Sequence, residues 1–305
     1  MIKEGRLINP EVRIETTNYC NAHCVICPRD TMTRQKITMC YGKFVDLVDQ
    51  CIDLGATMVS PFGYGEPLMD IGLEEKVEYC TKHNLSTFIT SNGSLLTRKR
   101  IYSLIDSGLK NIRFSVHAVN LAIYEKVHNL SWLTVFKNIG NFIFINDKAG
   151  HPVTVHITVI PLHDESVDMI RSVWEKNCEY LEIWRPHNWG GAKNYRKIDR
   201  KKQTCGRPLN GPLQIQADGT VIPCCFLTNS ELVLGDTNKK TIWEILNGLS
   251  YFWIRNKHIQ GDLAELPCET CDQLNLNEES PLLYSNRDPK MVIGKTSTAK
   301  VMIDA

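Results

Sequence analysis

Three cysteines stand close together near the start of the chain. The stretch "TTNYCNAHCVICPRD" places Cys20, Cys24 and Cys27 in a C-x3-C-x2-C array with no close fourth. A structural zinc site takes four ligands and closes its shell, and an ordinary cubane cluster also takes four thiolates. A trio this tight either draws a remote ligand, such as His23, or leaves one metal position open for a small molecule. A second group lies far downstream. Cys205 is followed by thirteen residues and Gly219, then by four more and Cys224, and "PCETC" later adds Cys268 and Cys271. Spacing alone does not separate zinc from iron–sulfur at those four sulfurs.

The bulk composition fits metal or redox chemistry. The chain has 305 residues and twelve cysteines, and its start, "MIKEGRLINPE", has no apolar signal core. Both features argue against disulfides and for a cytoplasmic protein. Lys+Arg is 35 and Asp+Glu 34, so no net field draws the chain to nucleic acid or anionic lipid. No apolar run approaches the roughly 18 residues of a membrane span. The sequons at Asn92 and Asn129 are then chance matches. "GKT" at 294–296 is no P-loop, because Pro289 stands where glycine is required.

The elements that must position these groups alternate. Six runs rich in Val, Ile, Thr and Phe read as strands: "VRIETT" (12–17), "TMVSPFG" (57–63), "STFITSN" (86–92), "IRFSVHA" (112–118), "VTVHITVI" (153–160) and "LEIWRP" (181–186). Helix-patterned segments lie between them. Phe44, Val45, Leu47, Val48, Cys51 and Ile52 form one apolar stripe, and a second helix starts at a Thr97 cap and stops at Gly108. Alternation implies a parallel α/β sheet, here an open or partial (β/α)6 TIM-like barrel over residues 1–195. Catalytic groups then belong at the strands' C-terminal ends. The trio, "SPFGYGEP", Asn92, and Ser115 with His117 all fall there. Past residue 190 the alternation stops. "RKIDRKKQ" (196–203) reads as a linker, and residues 196–280 are turn-rich with few apolar runs, so that piece is expected to depend on a metal centre. Residues 281–305 read as a tail.

The trio after a first strand resembles the signature of the radical S-adenosylmethionine (radical SAM) superfamily. The resemblance implies a [4Fe–4S] cluster on Cys20, Cys24 and Cys27, whose open iron binds S-adenosylmethionine, and reductive cleavage to a 5′-deoxyadenosyl radical. "Gly63-Tyr64-Gly65-Glu66-Pro67" resembles the family's Gly-Gly-Glu-Pro strand end, with Tyr64 in place of the first paired glycine. There Gly65 allows close backbone approach, and the Glu66 carboxylate suits the cofactor's ammonium. Asn92 and Ser115 stand where the family contacts the cofactor's ribose and carboxylate.

The downstream cysteines resemble the SPASM/twitch extension in its shorter form. That implies one auxiliary [4Fe–4S] cluster on Cys205, Cys224, Cys268 and Cys271, beside a helix with Trp243 and Leu246 facing inward. Cys225 is a spare thiol or a hydrogen-atom donor, while Cys40, Cys51, Cys80 and Cys178 read as core. In "WRPHNWGG", Arg185 and His187 are candidates to anchor or deprotonate substrate, Trp184 and Trp189 to pack, and His117 is a further candidate. A fully ligated second cluster joined to such a barrel leads to the expectation of an oxidoreductase that dehydrogenates a small-molecule alcohol such as a sugar or aminocyclitol, fed by a reductant such as flavodoxin or ferredoxin. A peptide-modifying maturase and an epimerase using Cys225 are the alternatives.

Overall fold

The computed structural model describes residues 2–162, 165–195 and 202–275, with the backbone of 282–284. The six β-rich runs form six strands: β1 (Glu11–Ile14), β2 (Met58–Ser60), β3 (Ser86–Ser91), β4 (Asn111–Ser115), β5 (Thr154–Val159) and β6 (Tyr180–Ile183). Successive side chains of a strand face opposite sides, and in β1 Val12 and Ile14 are the buried pair. All six pair in parallel, in the order of the sequence. That order is the one a barrel requires. β6 pairs on its far side with the short antiparallel β10 (Leu282–Tyr284) instead of β1, so the barrel is partial, as expected.

Helices α1 (Tyr41–Asp53), α2 (Leu73–Lys82), α3 (Arg98–Asp106), α4 (Leu121–His128), α5 (Trp132–Lys148) and α6 (Val167–Trp174) make the crossovers. Phe44, Leu47, Val48 and Cys51 turn one face of α1 into the core. Thr97 caps α3, accepting from the Arg100 N–H; Asn120, Ser131 and Ser166 cap α4, α5 and α6 in the same way. Two helices, α4 and α5, fill the connection between β4 and β5.

The downstream region packs directly on the barrel. Its first strand, β7 (Leu213–Ile215), pairs in parallel with β1, and β8 (Thr220–Ile222) and β9 (Gly235–Asp236) extend the same sheet as an antiparallel meander. Helices α7 (Ile242–Leu246) and α8 (Leu249–Gln260) follow. Leu213, Val221, Ile245 and Tyr251 join Val12, Ile14, Phe44 and Leu47 in one buried cluster. The region therefore borrows the barrel's core, which local composition could not reveal. Trp243 is 48% exposed, against expectation; α7 turns Ile242, Ile245 and Leu246 inward at i, i+3 and i+4. Cys40 is exposed ahead of α1, while Cys51, Cys80 and Cys178 are core as expected. The linker residues 196–201 and, apart from the β10 backbone, the tail 281–305 lie outside the described residues. No helix among the described residues is long and apolar enough to cross a membrane.

One ion pair is fully enclosed. Lys76 Nζ donates to Asp70 Oδ2 at 2.5 Å and to the Met39 carbonyl at 2.8 Å, with both side chains 2% exposed. Removing one partner strands a buried charge. Asp70→Ala is expected to cost about 3–5 kcal/mol, read as a lower denaturant midpoint, whereas the Asp70→Leu/Lys76→Met pair recovers most of it.

Candidate active site

β1 ends at Ile14, and the next side chain is a carboxylate enclosed by protein, Glu15 at 2% exposure. Arg34 grips it with two bonds, Nη1 to Oε2 at 2.8 Å and Nη2 to Oε1 at 3.1 Å. The Tyr64 N–H donates to Oε1 at 2.8 Å and the Ala217 N–H to Oε2 at 3.0 Å. One side chain thus joins the segment after the cysteine trio, the loop after β2 and the loop after β7. Sequence reasoning passed over Glu15; its signal was a single carboxylate inside "VRIETT", an otherwise apolar and Thr-rich run.

The glycines of "GYGEP" are demanded by this packing. A Cβ on Gly63 would lie 2.3 Å from Glu15 Cγ, and one on Gly65 only 2.0 Å from the Thr17 carbonyl oxygen. What Gly65 admits is therefore the backbone of the cysteine loop, pressed against it. The Glu66 N–H donates to the Tyr19 carbonyl at 2.8 Å and completes the contact. Tyr64, the departure from the family's glycine pair, donates its hydroxyl to the Cys225 carbonyl at 2.8 Å. It couples the β2 loop to the downstream region.

Glu66 is buried, and burial raises its pKa despite three donors. Oε1 accepts from the Leu68 N–H at 3.1 Å and Ser91 Oγ at 2.8 Å, and Oε2 from the Asn92 N–H at 2.7 Å. A carboxylate offers about four lone-pair sites, so little acceptor capacity is left for an ammonium. Asn92 is similarly committed: its amide donates to Asn21 Oδ1 at 3.0 Å and accepts from Ser94. Both residues brace the cysteine loop as well as lining the cavity.

The trio gains a partner that the sequence did not announce. His128, at the end of α4, places Nδ1 3.3 Å from Cys24 Sγ. Its Nε2 accepts from the His117 N–H at 3.0 Å, so Nδ1 carries the proton and faces the sulfur. Burial presses the His128 pKa down to about 3, keeping the ring neutral at pH 7. His128 carries no local motif; only the fold brings it to the loop. His23, the remote-ligand alternative, is exposed and pairs with Asp30 instead.

A cavity of about 290 Å³ opens at the strand ends. Cys20, Cys24 and Cys27 line it together with Gly63, Tyr64, Gly65, Glu66, Asn92 and Ser115, so the residues expected at the cofactor are brought together. His117, His187 and Cys225 line it too, as do Trp184 and Trp189. Burial, then the stacked His128, hold His117 well below the ordinary histidine pKa. Arg185 is a correction. It is exposed and does not line the cavity, because the extended chain after β6 turns Trp184 in and its neighbour out.

A second, small pocket of about 30 Å³ is walled by Cys205, Cys224, Cys268 and Cys271, the four expected thiols. Among the described residues no group of three His, Cys, Asp or Glu side chains is arranged to hold a single metal ion. Burial pushes Cys268 and Cys271 up to about 12, so metal binding there must displace protons. Asn188 fixes the loop: its N–H donates to Asp272 Oδ2 at 2.8 Å, and its Oδ1 accepts from the Asp272 N–H at 3.1 Å.

Gly65→Ala should unseat the cysteine loop but spare the four-thiol pocket, so iron per chain falls by about half in an anaerobic reconstitution. His128→Leu keeps bulk but removes the bond to sulfur. Hydrogen bonds to cluster sulfurs help to set the reduction potential, so the expected cluster on the trio should show a lower value in the variant, read by a redox titration followed by electron paramagnetic resonance.

Comparison with known proteins agrees with this geometry. The model of the Radical SAM superfamily matches residues 14–173, and that of the SPASM iron-sulfur cluster-binding domain matches 205–272. The S-adenosyl-L-methionine-dependent 2-deoxy-scyllo-inosamine dehydrogenase of Niallia circulans is 29% identical over 278 residues, 90% of this chain and 96% of that protein. A GTP 3′,8-cyclase of Aquifex aeolicus is 27% identical over 205 residues, 60% of each chain; over the first such curated relatives the chain spans about half to three fifths of their length. The solved structure of BtrN in complex with AdoMet and 2-DOIA shares the fold, with TM-score 0.65 at 19% identity, covering 89% of this chain and 94% of that one. The chain belongs to the radical SAM superfamily and carries a SPASM iron-sulfur cluster-binding domain.

Proposed function

We propose that this enzyme dehydrogenates a small-molecule alcohol of the sugar or aminocyclitol kind. In this reading Cys20, Cys24 and Cys27 hold the cluster that binds S-adenosylmethionine, and Cys205, Cys224, Cys268 and Cys271 hold an auxiliary [4Fe–4S] cluster. The observation that carries it is a shared wall. Arg207 and Phe226 line both the large cavity and the four-thiol pocket. When bound, these cofactors supply a 5′-deoxyadenosyl radical that takes a carbon-bound hydrogen, and an acceptor for the electron the substrate radical gives up.

The chain's own residues do the rest. Trp184, Trp189, Phe226 and Ile160 give the cavity its apolar side, and Trp189 packs on Phe226 with centroids 5.2 Å apart. Excluding water there protects a radical from side reactions. His187, which lines the cavity and has its Nδ1 3.2 Å from Gln273 Nε2, is our candidate to receive the hydroxyl proton. His117 is poorly suited, since burial suppresses its basicity. A flavodoxin- or ferredoxin-like donor in the cytoplasm completes the scheme. The full overlap with the Niallia circulans dehydrogenase supports it. The epimerase reading keeps one observation in its favour, the presence of Cys225 in the cavity wall.

Anaerobic protein given S-adenosylmethionine, reductant and an alcohol substrate should form 5′-deoxyadenosine and one carbonyl product in equal amounts. Replacing Cys268 and Cys271 by alanine should remove about half the iron and abolish the carbonyl product while cleavage continues. Cys225→Ala should still turn over; a variant that stalls with a substrate radical or an oxidised product identifies an epimerase instead.

A further inference from the structure

The charges around the large cavity are lopsided. Arg13, Arg113 and Arg207 line it, and Glu66 is the only carboxylate among its lining residues. Two of the three cations are answered from outside the cavity. Arg113 Nη2 meets Glu182 Oε1 at 2.7 Å, and Arg13 meets Glu11 through Nε at 2.8 Å and Nη2 at 3.4 Å. Glu66 spends its oxygens on Leu68, Ser91 and Asn92. Arg207 is different. Among the described residues its contacts are Cys225 Sγ, 3.4 Å from Nη1, and Gln273 Oε1, 3.5 Å from Nη2, with no carboxylate. Its Nε is buried without a partner.

The orientation of this guanidinium is fixed. Its Cζ lies 4.7 Å from the centroid of the Phe226 ring, which stacks beneath it. Arg13 turns its remaining Nη1 toward the same sulfur, at 3.9 Å. Two planar forks from distant parts of the chain therefore converge beside Cys225. Arginine forks match carboxylate and phosphate oxygens in paired bonds, and a guanidinium held out of water with an unmade bond is costly until an anion completes it.

We propose that the substrate carries an anionic group, a carboxylate or a phosphate, seated by Arg207 and Arg13 beside Cys225. The inference rests on the reading of this cavity as the substrate site, and it narrows the alcohol to a sugar acid or sugar phosphate in place of an amine. Two rival duties for Arg207 exist. It also lines the four-thiol pocket, where it would answer the charge of a cluster, and the Cys225 sulfur could itself be the anion it answers.

Calorimetric titration of the anaerobic, fully reconstituted enzyme with S-adenosylmethionine bound decides among them. The probes are glucuronate, glucose 6-phosphate, neutral myo-inositol and cationic glucosamine. One of the two anions should bind about tenfold or more tightly than myo-inositol and glucosamine, and which one it is separates carboxylate from phosphate. Arg207→Gln should erase that preference and Arg207→Lys keep part of it, with iron content and affinity for S-adenosylmethionine unchanged. Equal binding of all four, or a preference for glucosamine, overturns the proposal. So does an Arg207→Gln enzyme that keeps its anion preference. Should that variant lose iron, Arg13→Gln carries the test: weaker anion binding upholds the seat, and unchanged binding overturns it. Anion binding without any carbonyl product would leave the seat standing and remove the dehydrogenase reading alone.

Discussion

The site depends on one buried carboxylate. Glu15 sits where the first barrel strand ends, and it is charge-compensated by the two-pronged grip of Arg34. In a low-dielectric interior such a pair is tolerated only when its remaining lone pairs are also filled, and the Tyr64 and Ala217 N–H groups fill them. The cysteine-loop segment, the strand-two loop and the downstream meander are thereby held to one point. Gly63 and Gly65 then let these pieces approach more closely than any side chain would permit. Pre-organisation of this kind is what a site needs when its cofactor must be held in a single orientation.

The two adjacent cysteines show how backbone geometry divides labour. Successive residues of an extended segment face opposite ways. Cys224 accordingly faces the four-thiol pocket and Cys225 the large cavity. The Cys224 thiol's hydrogen bond, and beyond it the guanidiniums of Arg207 and Arg13, pull Cys225 below the usual thiol range against the effect of burial. A single peptide unit thus separates a thiol of the four-cysteine pocket from one in the wall of the large cavity.

Much of the architecture was legible because its signals are local. Runs of Val, Ile and Thr marked all six barrel strands, and the seven clustered thiols stood out by spacing. Boundaries were less legible. "TMVSPFG" reads as a seven-residue strand, yet only Met58–Ser60 joins the ladder, because Pro61 has no N–H to offer. Glu15, His128 and Arg207 were missed for a different reason. Each is a lone residue whose meaning comes from contacts with segments far away in the chain, and no periodicity or spacing encodes that. Trp184 and Arg185 differ only by which side of an extended chain they occupy, which a change in strand register would invert.

The pairing of β7 with β1 has a consequence for biogenesis. As the polypeptide leaves the ribosome, the barrel's opening strand presents a bare edge until Leu213–Ile215 arrives to cover it. Exposed edges invite pairing with the wrong chain, and contacts between distant segments form late. The nascent protein is therefore most vulnerable to aggregation over the interval in which its first half is complete and the strand that covers this edge is still being made.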